Sequence, residues 1–81
     1  MSYKKYVEVI AKFTDDDKIL PLSVIWDDGR KFEVDRVVDV RRAASLKAGG
    51  AGTRYTCRIQ GKERYLWLED DKWFVELISP E

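Results

Sequence analysis

Eighty-one residues suit one small domain spanning 1–81, and a chain this short buries only about 60–65% of the surface it exposes when unfolded, which limits it to one thin core. A single cysteine and no histidine rule out an internal disulfide staple and leave catalysis without its usual general base near neutral pH. Fifteen bases balance fifteen acids, and 37% of the residues are charged, so the charge is spread over a small body with much surface.

The first residues, Met1-Ser2-Tyr3-Lys4-Lys5-Tyr6, carry two lysines with no apolar stretch after them, and no run approaches a membrane-spanning length. These features and the free thiol point to a reducing cytoplasm and to no membrane partner.

Apolar residues alternate at period two between acidic or glycine turns, which predicts strands. The first runs from Lys5 to Phe13, with Val7, Val9, Ala11 and Phe13 on one face. Thr14-Asp15-Asp16-Asp17-Lys18 ends it. The second, Ile19 to Trp26, contains Pro21, which suits an edge or a strand start, and its richer face is Leu20, Leu22, Val24 and Trp26.

Asp27-Asp28-Gly29-Arg30 has the Asp-Gly chemistry of a tight hairpin. The return strand begins at Lys31 and places Phe32, Val34, Val38 and Val40 in one parity. Val37 breaks the alternation, so a bulge or bend is expected near Asp35-Arg36, and bends of that kind curl small sheets into barrels. Arg41 to Ala48 fits either a helix of barely two turns capped by Asp39 or a strand end. A helix that short is unstable without packing, which favours the strand end and an exposed loop through Gly49-Gly50-Ala51-Gly52.

Arg54 to Gln60 alternates cleanly, with Tyr55, Cys57 and Ile59 inward. Gly61-Lys62 turns the chain into a strand from Arg64 to Glu69. Asp70-Asp71 turns it again into Trp73 to Ile78. The expected fold is all-β: a five- to six-stranded antiparallel meander rolled into an SH3-like or related small barrel.

Catalysis and metal binding find no foothold in this pattern. The aspartates Asp15, Asp16, Asp17, Asp27, Asp28, Asp70 and Asp71 all fall at turns, where Asp is favoured for bonds to nearby backbone. The contiguous triplet lacks the alternating ligands of a calcium loop, and Cys57 on an inward parity reads as a small hydrophobe. Lys47-Ala48-Gly49-Gly50-Ala51-Gly52-Thr53 lacks the Gly-Lys-Ser/Thr ending of a phosphate loop. No catalytic residue, metal site or cofactor is expected.

Charge distribution is the informative feature. Residues 30–64 hold ten bases against four acids, a net of +6 that the rest of the chain cancels, and such asymmetry marks candidates for anionic partners. The candidate nucleic-acid-binding residues are Arg41, Arg42, Lys47, Arg54 and Arg58 on phosphates, with Tyr55 or Trp67 stacking on bases. The alternative is that these arginines lie on a solvated face and pair with acids across strands.

The run Pro21-Leu22-Ser23-Val24-Ile25-Trp26-Asp27-Asp28-Gly29-Arg30-Lys31-Phe32-Glu33-Val34, then Val37-Val38-Asp39-Val40, resembles small uncharacterised bacterial domains common in Firmicutes. It is also similar to the small domain associated with Y-family DNA polymerases. Arg54-Tyr55-Thr56-Cys57-Arg58-Ile59 and Trp73-Phe74-Val75-Glu76 extend the likeness over most of the chain. The resemblance implies a bacterial stand-alone β domain with a tilt toward DNA-linked work, and it assigns no activity and no site residues.

Two uses follow. In the first, the domain is a protein-interaction or self-assembly module, pairing through an edge strand or an exposed aromatic patch. In the second, it binds single-stranded nucleic acid through the basic segment 30–64.

Overall fold

The computed structural model describes the backbone of residues 2–45 and 50–78 and the side chains of residues 4–43 and 52–76. Seven antiparallel strands make one curled sheet: β1 (Ser2–Phe13), β2 (Ile19–Ile25), β3 (Lys31–Glu33), β4 (Arg36–Ser45), β5 (Gly50–Ile59), β6 (Lys62–Glu69) and β7 (Lys72–Ile78), in the spatial order β3-β2-β1-β7-β6-β5-β4. No α-helix occurs among the described residues.

The count exceeds the expected five to six because the third expected strand is divided. Val34 and Asp35 leave the sheet between β3, which pairs with β2, and β4, which pairs with β5. The two halves therefore stand at opposite ends of the strand order. At this corner the Val34 N–H donates to the Leu22 carbonyl at 2.9 Å and the Asp35 N–H to the Arg58 carbonyl at 2.8 Å. Two amides of one dipeptide thus draw the two ends of the sheet together.

Turn chemistry follows the sequence closely. Gly29 adopts a φ of 89°, which an L side chain resists. The Asp28 carboxylate accepts the Arg30 amide at 3.0 Å and its Nε at 2.7 Å. Those contacts hold the Asp28 carboxyl below its ordinary range. Asp17, Asp70 and Asp71 also sit at positive φ, a conformation aspartate tolerates better than most residues.

Beyond Arg41 the chain stays extended through Ser45, as the strand-end reading holds. Gly50–Gly52, expected as loop, instead begin β5.

The core lies inside the curl. Val24, Tyr55, Cys57 and Leu66 are buried, and Val7, Val9, Leu20, Val34, Val37, Ile59, Leu68, Trp73 and Val75 close around them. Fully burying side chains of this size is worth about 1.5–3 kcal/mol each. The Tyr55 hydroxyl donates to the Ile19 carbonyl at 2.6 Å, so its polar tip is satisfied inside.

Two bulges displace expected core residues. Ile10 pairs with Ser23 and Ala11 with Pro21, which leaves Leu22 as the extra residue of β2. Leu22, expected inward, is 44% exposed, while Pro21, Ser23 and Val24 are buried. Val37 pairs with Cys57 and Asp39 with Thr56, so Val38 is the extra residue of β4, three residues beyond the corner.

Cys57 is wholly enclosed, and burial pushes its thiol up to about 11 from an ordinary value of 9.0. The native protein is therefore expected to resist alkylation by iodoacetamide at pH 8 and to react once unfolded. Because the unfolded thiol loses its proton first, stability should fall as pH climbs from about 9 to about 11. Urea melts across that range check the slope, and Cys57→Ala should flatten it.

Candidate nucleic-acid interface

Residues opposite each other on antiparallel strands face the same side of a sheet, so the strand register maps the outer face row by row. One row runs Tyr6, Phe74, Trp67, Arg54, Arg41 across β1, β7, β6, β5 and β4. The next holds Tyr65, Thr56 and Asp39, and the third holds Glu63, Arg58 and Arg36. Four arginines thus form two directly opposed pairs, Arg41 with Arg54 and Arg36 with Arg58.

Strand rise places the two pairs about 13 Å apart along β5, since four residues at about 3.4 Å separate them. Between them sits Tyr65, 51% exposed, with the Arg54 guanidinium 4.6 Å over its ring. Arg41 Nε binds Asp39 at 2.8 Å, and Arg58 approaches Glu63 at 3.8 Å. The Arg41 hydrogen bond, with Arg54 nearby, holds the Asp39 carboxyl below its ordinary range. Among the described residues neither Arg36 nor Arg54 forms a salt bridge.

The sequence-predicted residues separate on this map. Arg41, Arg54 and Arg58 share the outer face. Arg42, opposite Thr53, is on the other side, and Lys47 lies outside the described residues. Tyr55 is buried in the core and cannot stack on a base. Trp67 is only 2% exposed, stacked on Phe74 at 5.8 Å, while Tyr6 meets the same Phe74 edge-on at 6.0 Å.

Arg36 and Tyr65 are the members that sequence reasoning missed. Tyr65 shares the strand parity of Trp67, a signal that could have found it. Arg36 carries no such signal, because the Val38 bulge resets the parity of β4. Two buried donors on the first row, Arg54 Nε and Trp67 Nε1, have no hydrogen-bond acceptor, an arrangement that costs about 1–3 kcal/mol per group.

Two concavities border this face. A cleft of about 620 Å³ opens at one end of the sheet between Trp26, Arg30 and Phe32 on one side and residues 59–66 on the other, with Val75 and Glu76 beside them. A groove of about 960 Å³ separates β2 from β4, lined by Leu20, Pro21, Leu22, Val38, Val40 and Tyr55 among others. Among the described residues no group of three or more His, Cys, Asp or Glu is placed to hold a metal ion.

No protein-family model, curated protein or solved structure matches the chain.

Proposed function

We propose that this chain is a non-catalytic, cytoplasmic binding module with an SH3-like curl, and that it binds single-stranded nucleic acid across the outer face of β4, β5 and β6. Arg36 and Arg58 meet two neighbouring phosphates at one end of the face, Arg41 and Arg54 two more at the other, and Tyr65 offers a stacking surface between them. The observation that carries this reading is the pair of opposed arginine couples. Like charges directly opposite destabilise a sheet, and a polyanion turns that repulsion into attraction.

The test is a titration of labelled oligothymidylate and of a duplex at several salt concentrations. Contact with three or four phosphates predicts a log–log salt slope of about −2 to −3 on the single strand. Undetectable binding at low salt overturns the reading.

Self-assembly is the second reading, favoured by the exposed Leu22, Val38 and Val40 beside the groove, all between 44% and 46% exposed. β4 is the terminal strand of the order, and long edge strands invite pairing. Antiparallel pairing of two β4 strands centred on Val40 would set Asp39 of each copy opposite Arg41 of the other. On this reading wild type and a 1:1 mixture of Asp39→Arg with Arg41→Asp sediment as dimers, while each variant alone is a monomer. A wild type that stays monomeric at high concentration removes it.

A further inference from the structure

We infer that the cleft at the open end of the sheet receives one unstacked nucleobase of the bound strand together with its phosphate; this rests on the strand-binding reading of the outer face. The cleft lies within the size range of small-molecule sites, which combine apolar walls with a few placed polar groups. Ile59 and Val75 supply apolar surface, with the buried Val24 and Leu66 behind them, and Trp26 and Phe32 supply aromatic faces.

Its cations are unequally engaged. Arg30 is bound to Asp28 at 2.7 Å and lies 5.5 Å over the Phe32 ring. Lys62 and Arg64 line the same cleft, and neither forms a salt bridge among the described residues. Glu63, also at the cleft, is turned to Arg58 at 3.8 Å.

These features select the ligand class. A simple anion would use Lys62 and Arg64 and leave the aromatic and aliphatic walls wet. An uncharged apolar ligand would cover the walls and leave two ammonium and guanidinium groups idle. A flat heteroaromatic ring carrying a phosphate uses both, and base-on-aromatic stacking tolerates any base.

Tyr65 connects the two surfaces, because it lines the cleft and also stands between the arginine pairs. A strand crossing the arginine face therefore passes the cleft mouth, where one nucleotide can turn inward.

Thymidine monophosphate, inorganic phosphate and oligothymidylates are the probes, read by the indole N–H resonances with Trp73 as the internal control. The nucleotide should shift the Trp26 indole and phosphate alone should not. An oligomer with one abasic position at the cleft should bind about 10-fold more weakly than the intact oligomer. Lys62→Gln with Arg64→Gln should weaken the mononucleotide about 10-fold or more.

Equal affinity for intact oligomers and for every abasic position, or a Trp26 signal unmoved at oligomer saturation, overturns the cleft proposal and leaves the arginine face standing. An equal Trp26 shift from phosphate alone overturns base recognition. Conversely, a mononucleotide that still shifts Trp26 when oligomers fail to bind locates the failure on the arginine face.

Discussion

Replacing Gly52 by alanine is expected to cost at least about 3 kcal/mol and to lower the thermal midpoint by about 12–24 °C, at 4–8 °C per kcal/mol for a domain of this size. The strand register sets Gly52 opposite Ala43 on β4, one residue before the Thr53–Leu68 pair with β6. A β-carbon there would press on the Leu68 carbonyl oxygen and lie 3.1 Å from the Leu68 carbonyl carbon and 3.2 Å from the Glu69 α-carbon. All three atoms belong to the main chain, so no side-chain rotation relieves the clash and β5 must part from β6. Gly29→Ala is the control. Its β-carbon meets nothing within 4 Å, and it should cost only the roughly 1–2 kcal/mol of a positive φ. Circular-dichroism melts of both variants check the order; equal losses would mean that β5 and β6 do not approach as closely as described.

The double variant Arg36→Gln with Arg54→Gln should move stability and binding in opposite directions. It removes one arginine from each opposed pair and leaves Arg41 and Arg58 with their carboxylates. Relief of two like-charge oppositions, each worth about 0.2–1 kcal/mol, should leave the fold equal or more stable in urea. Loss of two phosphate contacts at about 1.5 kcal/mol each should weaken oligothymidylate roughly 100-fold. The salt slope should become shallower by about 1.4, since each lost single-strand phosphate contact contributes about 0.7. Unchanged affinity and slope would remove these side chains from the interface. A destabilised double variant would show that the arginines serve packing, with the Arg54 stem covering Trp67.

Much of this architecture is legible in the residues. Tyr55, Cys57 and Ile59 alternate with Arg54, Thr56 and Arg58, and the structure turns the first three toward the core. Asp28-Gly29 makes the expected hairpin. What fails are properties that arise between strands. Leu22 follows a clean alternation yet points out, because an extra residue in β2 shifts parity only where β1 is there to pair with it. Tyr55 and Trp67 each read in the sequence as a candidate for stacking on a base. The inner face claims the tyrosine, and the tryptophan belongs to a small outer cluster with Phe74 and Tyr6 that no periodicity in one strand announces. The arginine pairs are invisible for the same reason: Arg36 and Arg58 are 22 positions apart and become neighbours only through register.

That register has a temporal side. β1 pairs with β2 through residues 8–13 and with β7 through residues 2–7, Ser2 lying opposite Ile78. A ribosome delivers β2 directly after β1, and β7 only after the five strands between. Every other pairing joins consecutive strands, so hairpins can form as the chain emerges, but the first half of β1 keeps its amides and carbonyls open until β7 has emerged. Long-range strand closure of this kind is slow and leaves unfinished sheets prone to wrong partners. Lys4 and Lys5 on that half of β1 keep it charged while it waits.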